Sequence, residues 1–191
     1  MRSDVEKAVR LLKKGELVVY PTDTLYGLGA DIFNEGAVKK VYEVKKRPFS
    51  MPLSIMLSSV DEIKDFAFLN PVAEKIINAF MPGAITLILK KRSIIPDIIA
   101  RDKVGIRIAD CEVARRIAKE VKITATSANL HGGKEPCSIE EARKQLGDKV
   151  TFYMDYGKMP CIPSTIVDVS DGEISILREG KIRSEEIYGR I

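Results

Sequence analysis

Apolar residues recur along this chain in two alternating rhythms. Val5, Ala8, Val9 and Leu12 stand at i, i+3, i+4 and i+7, one face of a helix. Ser3-Asp4-Val5-Glu6 ahead of that face predicts a capping box, and Gly15 predicts the helix end. Residues 17–20 form an unbroken apolar run, the pattern of a strand covered on both faces. Asn34 then predicts the cap of a second helix, with Ala37, Val38, Val41 and Tyr42 facing inward and Pro48 beyond its end. A strand is expected over 53–57, and Asn70-Pro71 opens a third helix with Ala73, Ile76, Ile77 and Phe80 on one face. Strands are predicted over 84–89 and 104–109, a helix around Val113, Ala114, Ile117 and Ala118, and a short strand over 122–125. Ser138-Ile139-Glu140-Glu141 is a second capping box. Segments 165–169 and 174–177 flank Asp171-Gly172, a hairpin signal. That hairpin is antiparallel while the earlier units can run parallel, so the expected class is α/β with a mixed sheet.

The chain has 191 residues, 45% of them hydrophobic, which is enough for one domain with a substantial core, taken as 1–191. The longest charge-free run, 76–89, is broken by Pro82 and Gly83 and is too short to cross a bilayer. Charges at Arg2, Asp4, Glu6 and Lys7 argue against a signal peptide, so a soluble cytoplasmic protein without membrane contact is expected. Cys111, Cys137 and Cys161 are odd in number and form no CxxC pair, so a disulfide scaffold is not expected. His131 is the single histidine, which removes zinc sites built on two imidazoles and weakens a Ser-His-Asp reading. A net charge of +4 permits an RNA partner without requiring one.

The familiar nucleotide motifs are absent. Gly27-Leu28-Gly29 follows a strand, but Ile32 breaks the dinucleotide-binding spacing. Gly132-Gly133-Lys134 is followed by Glu135 and lacks the preceding glycine of a P-loop. What stands out instead are strand ends rich in small hydroxyls: Pro21-Thr22-Asp23-Thr24 after the first strand, and Thr126-Ser127-Ala128-Asn129 after the short one. In open sheets, ligands collect beyond the carboxyl ends of strands. Such residues also make ordinary turns and caps, as Gly27 and Gly29 also suit tight turns. Cations accompany them. Lys45, at i+7 from Val38, continues the apolar face of the second helix, and Arg47 follows just past its end. Arg107 shares its strand face with Gly105 and Ala109, while Val104, Ile106 and Ile108 take the other. Arg178 comes directly after the last strand. Each has an ordinary reading, as a helix-terminal lysine or a surface arginine. Together they suit a site that positions reactants and neutralises phosphate without a covalent intermediate.

In chain order, Tyr20-Pro-Thr-Asp-Thr-Leu-Tyr-Gly-Leu-Gly-Ala-Asp31, Lys45-Lys-Arg-Pro48 with Pro52-Leu53, Pro82-Gly-Ala-Ile-Thr-Leu-Ile-Leu89, Val104-Gly-Ile-Arg107, Thr126-Ser-Ala-Asn-Leu130, Pro163-Ser-Thr-Ile-Val-Asp168 and Ile176-Leu-Arg-Glu-Gly180 resemble the signature blocks of the YrdC-type threonylcarbamoyl-AMP synthases. The resemblance spans essentially the whole chain and is to the short form, without a further C-terminal domain. It implies a twisted, open, mixed α/β sheet with flanking helices around a large cationic concave site. It implies formation of L-threonylcarbamoyladenylate from L-threonine, bicarbonate and ATP with release of pyrophosphate, Mg²⁺ accompanying the ATP. A separate transferase would pass the product to adenosine 37 of tRNA, and the cleft could also touch tRNA directly. The alternative reading, from the positive charge balance and the same cationic cleft, is an RNA-binding module, which an aromatic content of 6% and the lack of Trp disfavour.

By the same resemblance, Lys45 and Arg47 are the catalytic cations on the phosphates. Thr24, Arg107 and Ala125 hold threonine. Lys45, Arg47, Met51, Lys103, Ser127, Asn129, Ser164 and Arg178 bind the nucleotide, and no residue is assigned to a metal. Met51, Met56 and Lys103 depart from the residues common in relatives, as does the loop Gly132-Gly133-Lys134-Glu135-Pro136-Cys137.

Overall fold

The structure, a computed structural model, describes residues 2–191. Helix α1 (Arg2–Lys13) leads into strand β1 (Val18–Tyr20), and β2 (Gly27–Gly29) returns antiparallel to it, Tyr20 opposite Gly27. Because α1 already includes Arg2, Ser3 lies inside the first turn and is not the cap that its motif predicts. Gly15, at φ +77°, occupies the left-handed region where glycine is favoured and closes the helix as expected. Gly27 and Gly29 are strand residues, not turn formers. They lie over the Tyr20 ring, and a Cβ on Gly27 would stand 2.7 Å from Tyr20 Cζ. Glycine is required there by close approach of a neighbour.

Helix α2 (Glu35–Lys45) starts where Asn34 accepts from the Ala37 amide. Next come β3 (Ile55–Met56), the short α3 (Ile63–Phe66) and α4 (Pro71–Phe80), capped by Asn70. Strands β4 (Ile85–Lys90) and β5 (Lys103–Arg107) precede α5 (Glu112–Glu120). The chain then passes through β6 (Ile123–Thr124) and β7 (Thr126–Ser127). It finishes with α6 (Ile139–Leu146), β8 (Phe152–Tyr153), β9 (Thr165–Asp168), β10 (Ser175–Arg178) and α7 (Ser184–Tyr188). In α6, Ser138 accepts from Glu141 N, but the Glu141 carboxylate reaches back to Cys137 N, one residue before the cap.

The α/β class and mixed pairing hold, but the strands divide between two sheets. One has the order β7-β2-β1-β8 and the other β10-β9-β4-β5-β3-β6. The β9–β10 hairpin is antiparallel, whereas β4–β9, β3–β5 and β1–β8 are parallel. Strands too short to show a periodicity, β2, β7 and β8, account for the second sheet. Ala125 is the junction: the chain leaves one sheet at Thr124 and enters the other at Thr126.

Two apolar clusters explain the unbroken run of β1. Leu17 and Val19 join the larger core with α2 and α4, and Val18 and Tyr20 join the smaller one under α1 and α5. Successive strand residues point to opposite faces, so a strand buried on both sides must be apolar throughout. Cys137 and Cys161 are disulfide-bonded with Cα atoms 5.1 Å apart, against the expectation from their count, and Cys111 is free. Spacing in sequence carried no trace of this pair because packing alone brings the two loops together. Among the described residues, no helix is long and apolar enough to cross a membrane.

Candidate functional site

Where the two sheets meet around Ala125, a cavity of about 170 Å³ opens. The β1–β2 loop contributes Thr22, Leu25 and Tyr26, the segment after α2 contributes Arg47, Pro52 and Ser54, and β3 contributes Met56. Arg107 reaches it from the end of β5, Thr86 from β4, and Ala125, Thr126 and Ser127 from the sheet junction. Glu135, Ser164 and Arg178 close the remaining side. Three guanidinium groups thus face one hollow beside a single carboxylate. Cations on low-dielectric walls focus their field into such a space, which favours an anionic ligand. The planar fork of arginine suits carboxylate and phosphate oxygens.

Arg107 is the most constrained of the three. Its Nη2 donates to Asp23 Oδ1 at 2.7 Å and to Thr24 Oγ1 at 2.6 Å. The hydroxyls then form a relay: Thr24 Oγ1 lies 3.0 Å from Thr22 Oγ1, and Thr22 donates to Leu25 O at 2.6 Å, so Thr24 donates to Thr22. Thr22 Oγ1 also accepts from the Thr24 and Leu25 amides. The strand-end cluster is therefore a rigid turn whose output is the orientation of one arginine. Arg107 Nε is buried without a hydrogen-bond partner, a condition that costs about 1–3 kcal/mol until an acceptor arrives. Thr24 itself is fully buried behind Arg107 and is not on the cavity wall.

Lys45 takes a different place from the one expected of it. Its ammonium does not line the cavity; it donates to Ser127 O, to Asn129 O at 2.7 Å and to Asn129 Oδ1 at 3.1 Å. Asn129 Oδ1 also accepts from Ser127 Oγ, and Asn129 Nδ2 donates to Gly133 O, which fixes the amide's orientation. Lys45 is 2% exposed, and this burial pulls its ammonium down to about 7. Arg47 nearby pulls the same way and Glu135 opposes both. The lysine on the apolar face of α2 is thus the pin of the 127–129 loop. Helix α2 ends at Lys45, and Lys46 caps it with φ 51°. Arg47 then turns toward the cavity, donating to Met51 O at 3.3 Å and Pro52 O at 2.8 Å.

The remaining expected residues divide. Ser127, Ala125, Ser164 and Arg178 share the cavity wall with Arg47 and Arg107. Arg178 Nη2 donates to Ser164 O at 2.9 Å, and Ser164 Oγ lies 3.0 Å from Thr86 Oγ1. Asn129 stands behind the wall. Met51 is 38% exposed and only its carbonyl reaches Arg47. Lys103 begins the strand that Arg107 ends, so the two lie at opposite ends of β5. Its ammonium pairs with Asp168 at 3.4 Å and Asp171 at 2.8 Å, away from the cavity. Sequence reasoning missed Thr22, Tyr26, Thr86 and Glu135 as wall residues. Thr22 stood inside the hydroxyl cluster and Tyr26 and Thr86 inside quoted sequence blocks, but nothing there marked Glu135 as a wall residue.

With this geometry in view, the likenesses to known proteins are specific. The Sua5/YciO/YrdC family model, described as telomere recombination, matches residues 10–180. A protein of Methanocaldococcus jannaschii is 43% identical over 187 residues, covering 95% of this chain and 90% of the relative. The threonylcarbamoyl-AMP synthase of Pyrococcus abyssi is 34% identical over 186 residues; the match covers 94% of this chain and 55% of that protein. The crystal structure of P. abyssi Sua5 complexed with L-threonine superposes on the whole chain with a TM-score of 0.93 at 31% identity, over 59% of its own length.

Proposed function

Because the chain belongs to the Sua5/YciO/YrdC family, we propose that it is a threonylcarbamoyl-AMP synthase. The threonine amine and bicarbonate combine to a carbamate with loss of water. A carbamate oxygen then attacks the α-phosphorus of ATP, and the bond to the β-phosphate breaks, releasing pyrophosphate. The observation that carries this reading is the convergence of Arg47, Arg107 and Arg178 on one cavity, with Arg107 Nε lacking an acceptor.

In this reading, the threonine carboxylate completes Arg107, which Asp23 and the Thr24–Thr22 relay hold in place. Arg47 and Arg178 take the phosphates. Ser127 and Ser164 hydroxyls, with Ala125 leaving room between them, line the path of the carbamate and α-phosphate. Lys45 acts on this path through the loop that it pins, and Asn129 transmits that restraint. Mg²⁺ bound with the triphosphate supplies further neutralisation of phosphate charge. None of these groups is a nucleophile toward substrate. Catalysis here is positioning and charge stabilisation. The product is a mixed anhydride that a separate transferase passes to the adenosine at position 37 of tRNA.

The test is a pyrophosphate-release assay with each substrate omitted in turn. Release is expected only when threonine, bicarbonate and ATP are all present. Salt-sensitive RNA binding without any pyrophosphate release would replace this reading with an RNA-binding module.

A further inference from the structure

Glu135 is the one carboxylate on a wall that carries three guanidinium groups. Its Oε1 lies 3.7 Å from Arg178 Nη1, too long for a hydrogen bond, and among the described residues no N–H or O–H donates to its carboxylate. Asp23, the acid beside Arg107, differs: it accepts from Arg107 at 2.7 Å and is engaged by the protein itself.

The backbone around Glu135 is nonetheless held from both sides. Asn129 Nδ2 donates to Gly133 O at 2.7 Å and Gln145 Nε2 to Lys134 O at 2.8 Å. Beyond it, Cys137 N donates to Glu141 Oε2 at 2.7 Å, and Cys137 is bonded to Cys161. A loop restrained this closely presents a carboxylate that is ion-paired with Arg178 yet accepts no hydrogen bond from the described residues.

Facing an anion-attracting hollow, such a carboxylate would repel a bare polyphosphate. It favours one only when a cation lies between them. Magnesium is characteristically bound by one or two carboxylates together with substrate phosphates and waters. Among the described residues, no group of three or more His, Cys, Asp or Glu side chains gathers. A cation at Glu135 therefore takes most of its ligands from the nucleotide and water. We propose that Glu135 supplies the protein's oxygen ligand, directly or through a bound water, to the divalent cation that arrives with the nucleoside triphosphate. This rests on the adenylate-forming reading of the same cavity.

The test uses the full chain and the α,β-methylene analogue of ATP, titrated by calorimetry with Mg²⁺ and again with EDTA, for the wild type, Glu135→Gln and Glu135→Asp. Thermal melts confirm that each variant is folded. The wild type is expected to bind at least ten-fold more tightly with Mg²⁺ than with EDTA. Glu135→Gln should lose most of that enhancement and bind the bare analogue several-fold more tightly than the wild type, and Glu135→Asp should recover part of the enhancement. With Mn²⁺ in place of Mg²⁺, its electron paramagnetic resonance signal should broaden less on the Glu135→Gln complex. An unchanged Mg²⁺ enhancement in Glu135→Gln overturns the proposal alone, as does an equal loss of affinity in both media, which would reduce Glu135 to a partner of Arg178. Failure of the wild type to bind the analogue in either medium overturns the adenylate reading and the proposal with it.

Discussion

Two buried cations, Lys45 and Arg107, each bind a loop beside the cavity and do opposite things. Lys45 directs its ammonium at three oxygens of the 127–129 loop, one for each N–H it owns. Arg107 gives one nitrogen to Asp23 and Thr24 and keeps Nε buried with no acceptor. A cation whose donors are all satisfied inside the fold is part of the fold. One that retains an unsatisfied donor beside a cavity is prepared for a ligand. Both residues sit in quoted sequence blocks, and nothing in their spacing separates the two roles.

The difference can be broken most sharply at Arg107. Arg107→Lys keeps a charge for Asp23 but removes the fork. It should weaken threonine binding by about 2 kcal/mol, roughly thirty-fold, while the melting temperature changes little. Calorimetric titration with threonine checks this, and unchanged affinity would remove Arg107 from the ligand side of the comparison. Lys45→Met should do the reverse. It leaves three buried oxygens without their donor, so stability should fall by about 1–3 kcal/mol in urea denaturation. A Lys45→Met chain of wild-type stability that fails to bind ATP would make Lys45 a phosphate contact and erase the contrast.

The comparison also carries a pH dependence. The Lys45 ammonium is held near 7 in the folded chain against an ordinary value of 10.5. Between those values the unfolded chain carries the proton that the folded chain has released, so wild-type stability should rise with pH across that window. Below about 7 both states are protonated and the cost of burying the ammonium is fully present. Lys45→Met should lack the rise, which denaturation at several pH values between 7 and 10.5 would detect. A parallel pH profile in the two proteins would assign the dependence to another group.

Long elements with a clear rhythm were legible in the chain. The stripes of α2 and α4, with their caps Asn34 and Asn70, reappear in the structure, as does the hairpin around Asp171-Gly172. Ser3 misled because a capping motif is local and does not forbid the helix from starting earlier. Strands β2, β7 and β8 were illegible because two or three residues cannot display a period. Of the site, Arg47, Arg107 and Arg178 were marked by position at element ends. Glu135 sits in an irregular polar loop, where no pattern distinguishes a wall residue from a solvated one. Lys103, assigned to the nucleotide by resemblance alone, lies at the far end of β5 from Arg107.

By itself, the order of apolar and polar residues determined which segments become helices and long strands, because burial of one face or of both faces dictates the period. It also determined which cations stand at the ends of those elements. Only the tertiary structure decided that the strands split into two sheets at Ala125, that Cys137 meets Cys161, and that Lys45 turns inward while Arg47 lines the cavity. Those outcomes depend on contacts between segments distant in the chain. A side chain's role there is set by how many of its hydrogen bonds its neighbours already satisfy, and no local sequence pattern records that number.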